Sequence, residues 1–364
     1  MIINYLMPTK ILLGKKVIDT HKGLLKNYGE KAYIITGKKS SKANGSYRDM
    51  VKALEEQNIN YIVFDEIEEN PSLETIERAA ELGKREKVDF IIGIGGGSPL
   101  DASKAIGIFI NNEDINKENV FTSPGLKSLS IIAVPTTSGT GSEVTPYSIV
   151  TDHKAKTKKN LGQIVFPEIA FLDPSYTENM PYSVTVNTAV DAFSHLAEGY
   201  LNVNASLITD MYAEKGIELF GQCLKSLLDN SIDYSVREKL MLSSTLGGML
   251  IAQTGTSLPH GMGYALTYFK GVPHGMANGI LFGEYLKVFK NKDKVNNILR
   301  LMNLQSLDEL QHILSSLLKL NIEIAEEEII DYTKSMVENK AKLKNHPENI
   351  EFEDIFNIYK NSLL

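Results

Sequence analysis

Apolar residues in the first half of the chain fall into short runs separated by stretches with helical spacing. KAYIITG (31–37) reads as a strand and YRDMVKALEEQ (47–57) as a helix. YIVFDEI (61–67) and SLETIERAAELGKRE (72–86) repeat the pair. VDFIIGIGGGS (88–98), PLDASKAIGIFI (99–110) and LSIIAVPTT (129–137) continue the alternation. Strands alternating with helices of about 10–15 residues predict βαβ units around a parallel sheet. YIIT, FIIGI and SIIAV are apolar at consecutive positions, which predicts strands covered on both faces. Near PYSVTV (181–186) the pattern changes to helical periods alone, through ELFGQCLKSLLDN, REKLMLSSTLGGMLIAQ, LDELQHILSSLLKLN and EDIFNIYKNSLL. The predicted organisation is an α/β domain with a parallel sheet over 1–180, followed by an all-helical domain over 181–364.

One helical stretch carries chemistry. In TAVDAFSHLAEGY (188–200), Asp191 and His195 lie four apart, hence on one helix face. Val190, Ala192, Phe193, Leu196 and Ala197 supply an apolar face, with Asp191, His195 and Glu198 opposite. That pattern suits either an amphipathic helix with a solvated face or half of a metal site. From Asn160 to Glu214 there is no Lys or Arg, whereas a solvated face ordinarily carries lysines. His260 falls in the uncharged stretch Leu240–Phe269, which reads as a buried helical segment rather than a bilayer span. His274 has Lys270 as its nearest charge. An enclosed carboxylate needs compensation, and a divalent cation would supply it. One carboxylate and three imidazoles suit Fe²⁺ or Zn²⁺ rather than Mg²⁺ or Ca²⁺. For each histidine taken singly, a satisfied core residue is the competing reading. The repeated PHGM (259–262 and 273–276) predicts two equivalent helix-entry turns presenting ligands. His21, His153, His312 and His346 lie among charged or loop residues and receive no role.

GIGGGSPLD (93–101) sits between a predicted strand and helix, with Ser98 placed as N-cap and Pro99 as first helical residue. Consecutive glycines let backbone N–H groups approach a phosphate, although Ser98 breaks the strict G-x-G-x-x-G fingerprint. A second hydroxyl- and glycine-rich loop, VPTTSGTGSEVT (134–145), follows the strand ending at Val134. Two such loops at the carboxyl ends of parallel strands point to a crevice for a phosphorylated ligand, against the alternative of tight structural turns. Bulk properties narrow the field further. A net charge of −7 over 364 residues, with no basic block, argues against nucleic acid or an anionic membrane as main partner. The single cysteine, Cys223, excludes an internal disulfide and suits a reducing cytoplasm. MIINYLMPTKILLG does not read as a secretory signal, lacking a basic stretch followed by an apolar core.

The motifs GGGSPLDASKAIG, VPTTSGTGSEVT, AFLDP, NTAVDAFSHLAEGY, PHGMGYAL and PHGMANG, in this order and spacing, resemble the iron-containing (group III) alcohol dehydrogenases along essentially the whole chain. The resemblance implies a dehydroquinate synthase-like architecture, with a dinucleotide-binding domain, a helical metal-binding domain and the nicotinamide reaching the metal through the cleft between them. It implies that Asp191, His195, His260 and His274 bind one divalent metal, Fe²⁺ or Zn²⁺. By the same resemblance Gly95, Gly96, Gly97 and Ser98 hold the pyrophosphate, and Asp101, Thr136, Thr137, Thr140 and Thr145 line the cofactor cleft. Asn70 and Lys159 are further expected cofactor contacts. Many members carry another histidine four residues after the third ligand; here it is Tyr264. Tyrosine, water or a ribose hydroxyl would then move the alcohol proton.

NAD-preferring members often place an aspartate after the second strand, where this chain has Gly37. Lys38, Lys39, Ser40 and Ser41 follow and offer donors to a 2′-phosphate, so NADP(H) is expected over NAD(H). A basic surface turn is the alternative. The implied activity is a metal-dependent alcohol dehydrogenase or aldehyde reductase. Hydride would pass between nicotinamide and a small alcohol or aldehyde whose oxygen sits on the metal. A glycerol or polyol dehydrogenase, or a dehydroquinate synthase-like lyase, is the alternative on the same fold; a nucleotide-binding protein with a structural metal is another. The N-terminal INYLMPTKILLG resembles the family's edge strands, which implies a homodimer, and the expected location is the cytoplasm.

Overall fold

In the computed structural model, which describes residues 3–155 and 157–364, the apolar runs of the first half become strands of one parallel sheet. They are β1 (Lys10–Leu13), β2 (Lys31–Thr36), β3 (Asn60–Phe64), β4 (Phe90–Gly95) and β5 (Ser130–Pro135). After the antiparallel hairpin β6 (Ile149–Asp152) and β7 (Thr157–Asn160), β8 (Ile169–Leu172) returns to the sheet. The strand order is β1-β8-β5-β4-β2-β3. Side chains alternate across it. Ala32, Ile34, Phe90 and Ile92 pack with Met50 and Leu54 of the helix Ser46–Glu56. Tyr33, Ile35 and Ile91 pack on the other face with Ile76 and Ile106, from the helices Leu73–Glu86 and Gly97–Asn111. Burial on both faces explains why these strands read as unbroken apolar runs.

The order has a consequence for binding. From β2 the chain moves outward to β3, then crosses back to β4 and onward to β5. The strand order therefore reverses between β2 and β4, the kind of point where open α/β sheets bind ligands beyond the strands' carboxyl ends. Register aligns Thr36 of β2 with Ile94 of β4, and Gly95 with Pro135 of β5. The Gly37 turn, the Gly95–Ser98 turn and Thr136 thus leave the sheet side by side.

The chain divides into two units. The α/β unit takes Met7–Thr137 and Gly141–Asn179. The helical unit takes Met180–Leu364, the loop Ser138–Thr140 and the N-terminal stretch ending at Leu6. Its central helix, Tyr182–Tyr200, is buried at every position from Ala189 to Tyr200. Phe193 on that helix stacks on Phe220 at 5.0 Å between ring centroids and meets Phe282 at 5.3 Å. The helices Leu207–Leu228 and Tyr234–Thr254 contribute to the same core. Among the described residues, no helix is long and apolar enough to cross a membrane.

Candidate metal centre and nucleotide turn

Asp191 and His195 do not lie on a solvated face. Asp191 is 4% exposed, His195 5% and Glu198 0%, so the amphipathic reading of this helix fails. The polar stripe at i, i+4 and i+7 faces the protein interior. The uncharged stretch Leu240–Phe269 is likewise not one helix. It breaks after Thr254, with Gly255 at φ 72°, and restarts as Leu258–Lys270. That break places His260 in the first turn of the new helix, directly after Pro259. His274 opens the short helix His274–Gly279 behind Pro273. Both PHGM motifs sit at helix entries, but the turns are not equivalent. His260 is the third residue of its helix and His274 the first.

The fold brings three of the four proposed ligands into one cluster. One ligand atom each from Asp191, His195 and His260 lies within 4.8 Å of the others. His260 Nε2 stands 3.6 Å from Asp191 Oδ1. His274 borders the group, its Nε2 3.9 Å from the same oxygen and its side chain 35% exposed. The rings of His195 and His260 stack at 4.5 Å, and those of His260 and His274 meet edge-on at 5.2 Å. His195 Nδ1 donates to the carbonyl of Gly139 at 3.2 Å, which leaves Nε2 as a lone-pair donor. Asn278 Nδ2 donates to Asp191 Oδ1 at 3.2 Å and lies 3.3 Å from His274 Nε2. Tyr264 stacks on His274 at 5.8 Å.

Electrostatics single out the same atoms. Burial opposes charge on Asp191, yet the neighbouring histidines hold its carboxyl well below the usual carboxylate range. Burial keeps His195 down at about 4 despite the pull of Asp191. Burial would lower His260 too, but Glu198 and Asp191 overcome it and push it up to about 9. His260 Nε2 is buried without a hydrogen-bond partner. A buried imidazole nitrogen left bare beside a carboxylate and a second imidazole is a costly arrangement that a cation would satisfy. An N₃O donor set fits Fe²⁺ or Zn²⁺.

The glycine turn follows β4. Gly95 has φ 151°, and a Cβ there would lie 2.6 Å from Pro99. The helix begins at Gly97 with Gly96 as its N-cap, two residues earlier than the sequence suggests. Ser98 is therefore inside the helix rather than its cap. Its hydroxyl instead accepts the backbone N–H of Asn70, a residue held at φ 57°. This brings Asn70 and the glycine turn together. Gly37 is half-buried, while Lys38, Lys39 and Ser40 are exposed; Ser41 is buried, its hydroxyl taken by Thr36.

Two of the other expected cofactor contacts, Asp101 and Lys159, have partners within the α/β unit. Asp101 accepts from Ser142 Oγ at 2.5 Å and from the N–H of Ile149 at 3.0 Å, beside the fully buried Lys104. Lys104 Nζ donates to Ser142 Oγ at 2.8 Å and to the carbonyl of Tyr147 at 2.7 Å, so both side chains tie the helix Gly97–Asn111 to the loop that follows β5. Burial raises Asp101 and lowers Lys104 to about 8. Thr136 and Thr145 are buried, Thr137 and Thr140 half-buried. Lys159 pairs with Asp152 at 2.9 Å and lies 5.0 Å over the Phe121 ring. Its neighbour Lys158 pairs in register with Thr151, whose hydroxyl donates to the carbonyl of Asn70. Lys158 is half-buried, and burial lowers its pKa.

Sequence reasoning gave no role to Lys158, Asn278 or Glu198. For Glu198 a signal existed, since it continues the Asp191–His195 stripe inside the segment without lysines. Asn278 shares a face with His274, four residues earlier, but its meeting with Asp191 comes from tertiary packing.

Comparison with known proteins identifies the family. The family description "Iron-containing alcohol dehydrogenase" matches residues 8–174, and "Fe-containing alcohol dehydrogenase family, C-terminal" matches 185–363. The NADPH-dependent butanol dehydrogenase of Clostridium saccharobutylicum is 32% identical over 290 residues, 78% of this chain and 74% of that protein. An iron-containing alcohol dehydrogenase structure from Thermotoga maritima superposes with TM-score 0.92 at 36% identity, covering 100% of this chain and 99% of that one. Sulfoacetaldehyde reductase from Bifidobacterium kashiwanohense, solved in complex with NAD⁺, superposes with TM-score 0.89 at 25% identity, covering 99% and 98%. This chain therefore belongs to the iron-containing alcohol dehydrogenase family, whose members are oxidoreductases.

Proposed function

We propose that the protein is a metal-dependent alcohol dehydrogenase or aldehyde reductase that uses NADP(H) in preference to NAD(H) and acts on a small alcohol or aldehyde. The observation that carries this reading is the buried Asp191–His195–His260 cluster with its bare His260 Nε2. Asp191, His195, His260 and His274 would hold the cation. The bound cation supplies Lewis acidity toward an alcohol or carbonyl oxygen, and the nicotinamide supplies or accepts the hydride. Burial of Asp191, His195 and His260 keeps water away from three of the four donors. Tyr264 supports the His274 ring by stacking and carries a phenolic hydroxyl able to hold or pass on the alcohol proton. The N–H groups of Gly96–Ser98, at the start of a 15-residue helix, suit a pyrophosphate. Membership of the alcohol dehydrogenase family favours this chemistry over the lyase alternative. Among the described residues β1 is an outermost strand of the sheet, which suits pairing with a second copy, and the expected solution mass is that of a dimer.

The test is air-free purification, metal analysis, and turnover of short aldehydes with NADPH and NADH before and after chelation. Turnover that chelation abolishes and Fe²⁺ restores supports the reading; turnover untouched by chelation refutes it.

The cofactor preference rests on the turn after β2. Gly37 brings no carboxylate toward a 2′-phosphate, and exposed Lys38, Lys39 and Ser40 follow it. The NADPH-dependent relative from Clostridium saccharobutylicum supports the same choice. Placing a carboxylate beside a 2′-phosphate costs enough that Gly37→Asp is expected to lower kcat/KM with NADPH roughly 10- to 100-fold while sparing NADH. Equal effects on the two cofactors would remove Gly37 from the argument. Of the two adjacent lysines we assign Lys158, rather than the Asp152-paired Lys159, to the cofactor. Lys158→Ala is expected to raise KM for NADPH about tenfold, and Lys159→Ala much less, for loss of one charge-assisted contact. Kinetics on the two variants decide between them.

A further inference from the structure

Glu198 is wholly buried on the helix that carries Asp191 and His195, and neither of its carboxylate oxygens is idle. Oε1 accepts from His260 Nδ1, and Oε2 accepts the backbone N–H of Ser257 at 2.5 Å. Ser257 is the N-cap residue of the helix Leu258–Lys270. One side chain thus grips both the ring of His260 and the backbone three residues before it. Because a carboxylate can only accept, the single proton of a neutral His260 ring is held on Nδ1, so that Nε2 is the nitrogen whose lone pair a cation would take. Nε2 is the atom that stands 3.6 Å from Asp191 Oδ1.

The cost of burying this carboxylate is offset locally. Lys342 donates from Nζ to Thr256 Oγ1, the residue before Ser257; burial lowers its pKa, and the charge of Glu198 opposes that lowering. Its stem lies along the same helix entry, where a Cβ on Gly261 would meet Lys342 Cγ at 3.1 Å. A group needed only to cap a helix would not require burial beside a histidine ring with a cation brought in behind it.

We propose that Glu198 is the positioning residue of the metal centre, fixing the tautomer and orientation of His260 so that Nε2 is presented beside Asp191. This rests on the metal reading given above. It adds a residue outside the four ligands on which metal affinity depends.

Glu198→Gln keeps the size and one acceptor but turns the other oxygen into an N–H₂ group that opposes its donor partner. Glu198→Ala removes both acceptors. The experiment titrates Co²⁺ into metal-free wild-type and variant proteins, following the visible absorption of the bound ion, and records the unfolding midpoint of each metal-free protein. The expected result is Co²⁺ affinity lower by roughly 10- to 100-fold in Glu198→Gln, with a metal-free midpoint close to wild type. Should Glu198→Ala fail to fold, Glu198→Gln alone decides. Affinity within about twofold of wild type in a folded Glu198→Gln overturns the positioning role, because a supporting partner costs more than that. Loss of affinity matched by loss of metal-free stability overturns it too, making Glu198 a structural cap. A wild-type protein that takes up no Co²⁺ removes the metal reading itself, a different result from either.

Discussion

His260→Ala is expected to abolish metal binding and turnover together while leaving NADPH binding intact. The imidazole is 3% exposed and meets three groups at once: Asp191 through Nε2, the His195 ring by stacking, and Glu198 through Nδ1. Truncation removes one nitrogen donor and leaves the Glu198 carboxylate without its ring partner. Metal affinity should fall by more than about 100-fold, since losing even a supporting partner costs roughly 10- to 100-fold. The Gly95–Ser98 turn belongs to the α/β unit and His260 to the helical unit. Fluorescence titration with NADPH should therefore give an affinity close to wild type. Residual turnover in metal-stripped His260→Ala protein would sink the assignment, as would loss of NADPH binding alongside the metal.

The second large effect comes from a residue with no side chain. Gly275, directly after His274, packs its backbone onto the central helix. A Cβ there would lie 1.9 Å from the carbonyl oxygen of Asn187 and 3.0 Å from Asp191 Cβ. Neither neighbour can yield cheaply, because both lie on the buried helix Tyr182–Tyr200. Gly275→Ala must push the His274 turn outward. The expected cost is about 1–3 kcal/mol of stability from overpacking. Turnover should drop about 100-fold, the scale of a 1 Å misplacement at a reacting centre. Gly271→Ala is the control: it has φ 65° but nothing within 4 Å of a Cβ. That substitution carries backbone strain of about 1–2 kcal/mol and should leave metal content unchanged. Thermal unfolding and metal content measured on both variants separate strain from displacement of His274. Equal activity in the two would contradict the close-approach argument.

These two residues show what the sequence exposes and what it hides. The strands of the α/β unit were legible because burial on both faces leaves an unbroken apolar run, as in FIIGI, where Ile91 and Ile92 enter opposite cores. The candidate ligands stood out as a set, from an acid and three histidines in segments poor in lysine, and the fold brings Asp191, His195 and His260 together with His274 beside them. The break at Gly255 was not legible, because an uncharged stretch looks helical whether it holds one helix or two. Only packing shows that the chain turns there to set His260 at a helix entry. Ser98 was misplaced because Gly96 lies in an extended conformation open to any residue, at φ −76° and ψ −162°. Asp101 and Lys159 look like cofactor contacts in sequence, and each has a partner within its own unit that no motif discloses. Glu198 was visible only as one more polar residue, since its meaning depends on a ring 62 positions away.

The central claim is that Asp191, His195, His260 and His274 hold one divalent cation. Anomalous diffraction at the iron edge, from crystals of the air-free protein loaded with Fe²⁺, tests it most directly. The account predicts a single strong peak per chain, bounded by the carboxylate of Asp191 and a ring nitrogen from each of the three histidines. A peak bounded by other residues, or full occupancy by iron with His260 turned away from it, would contradict it.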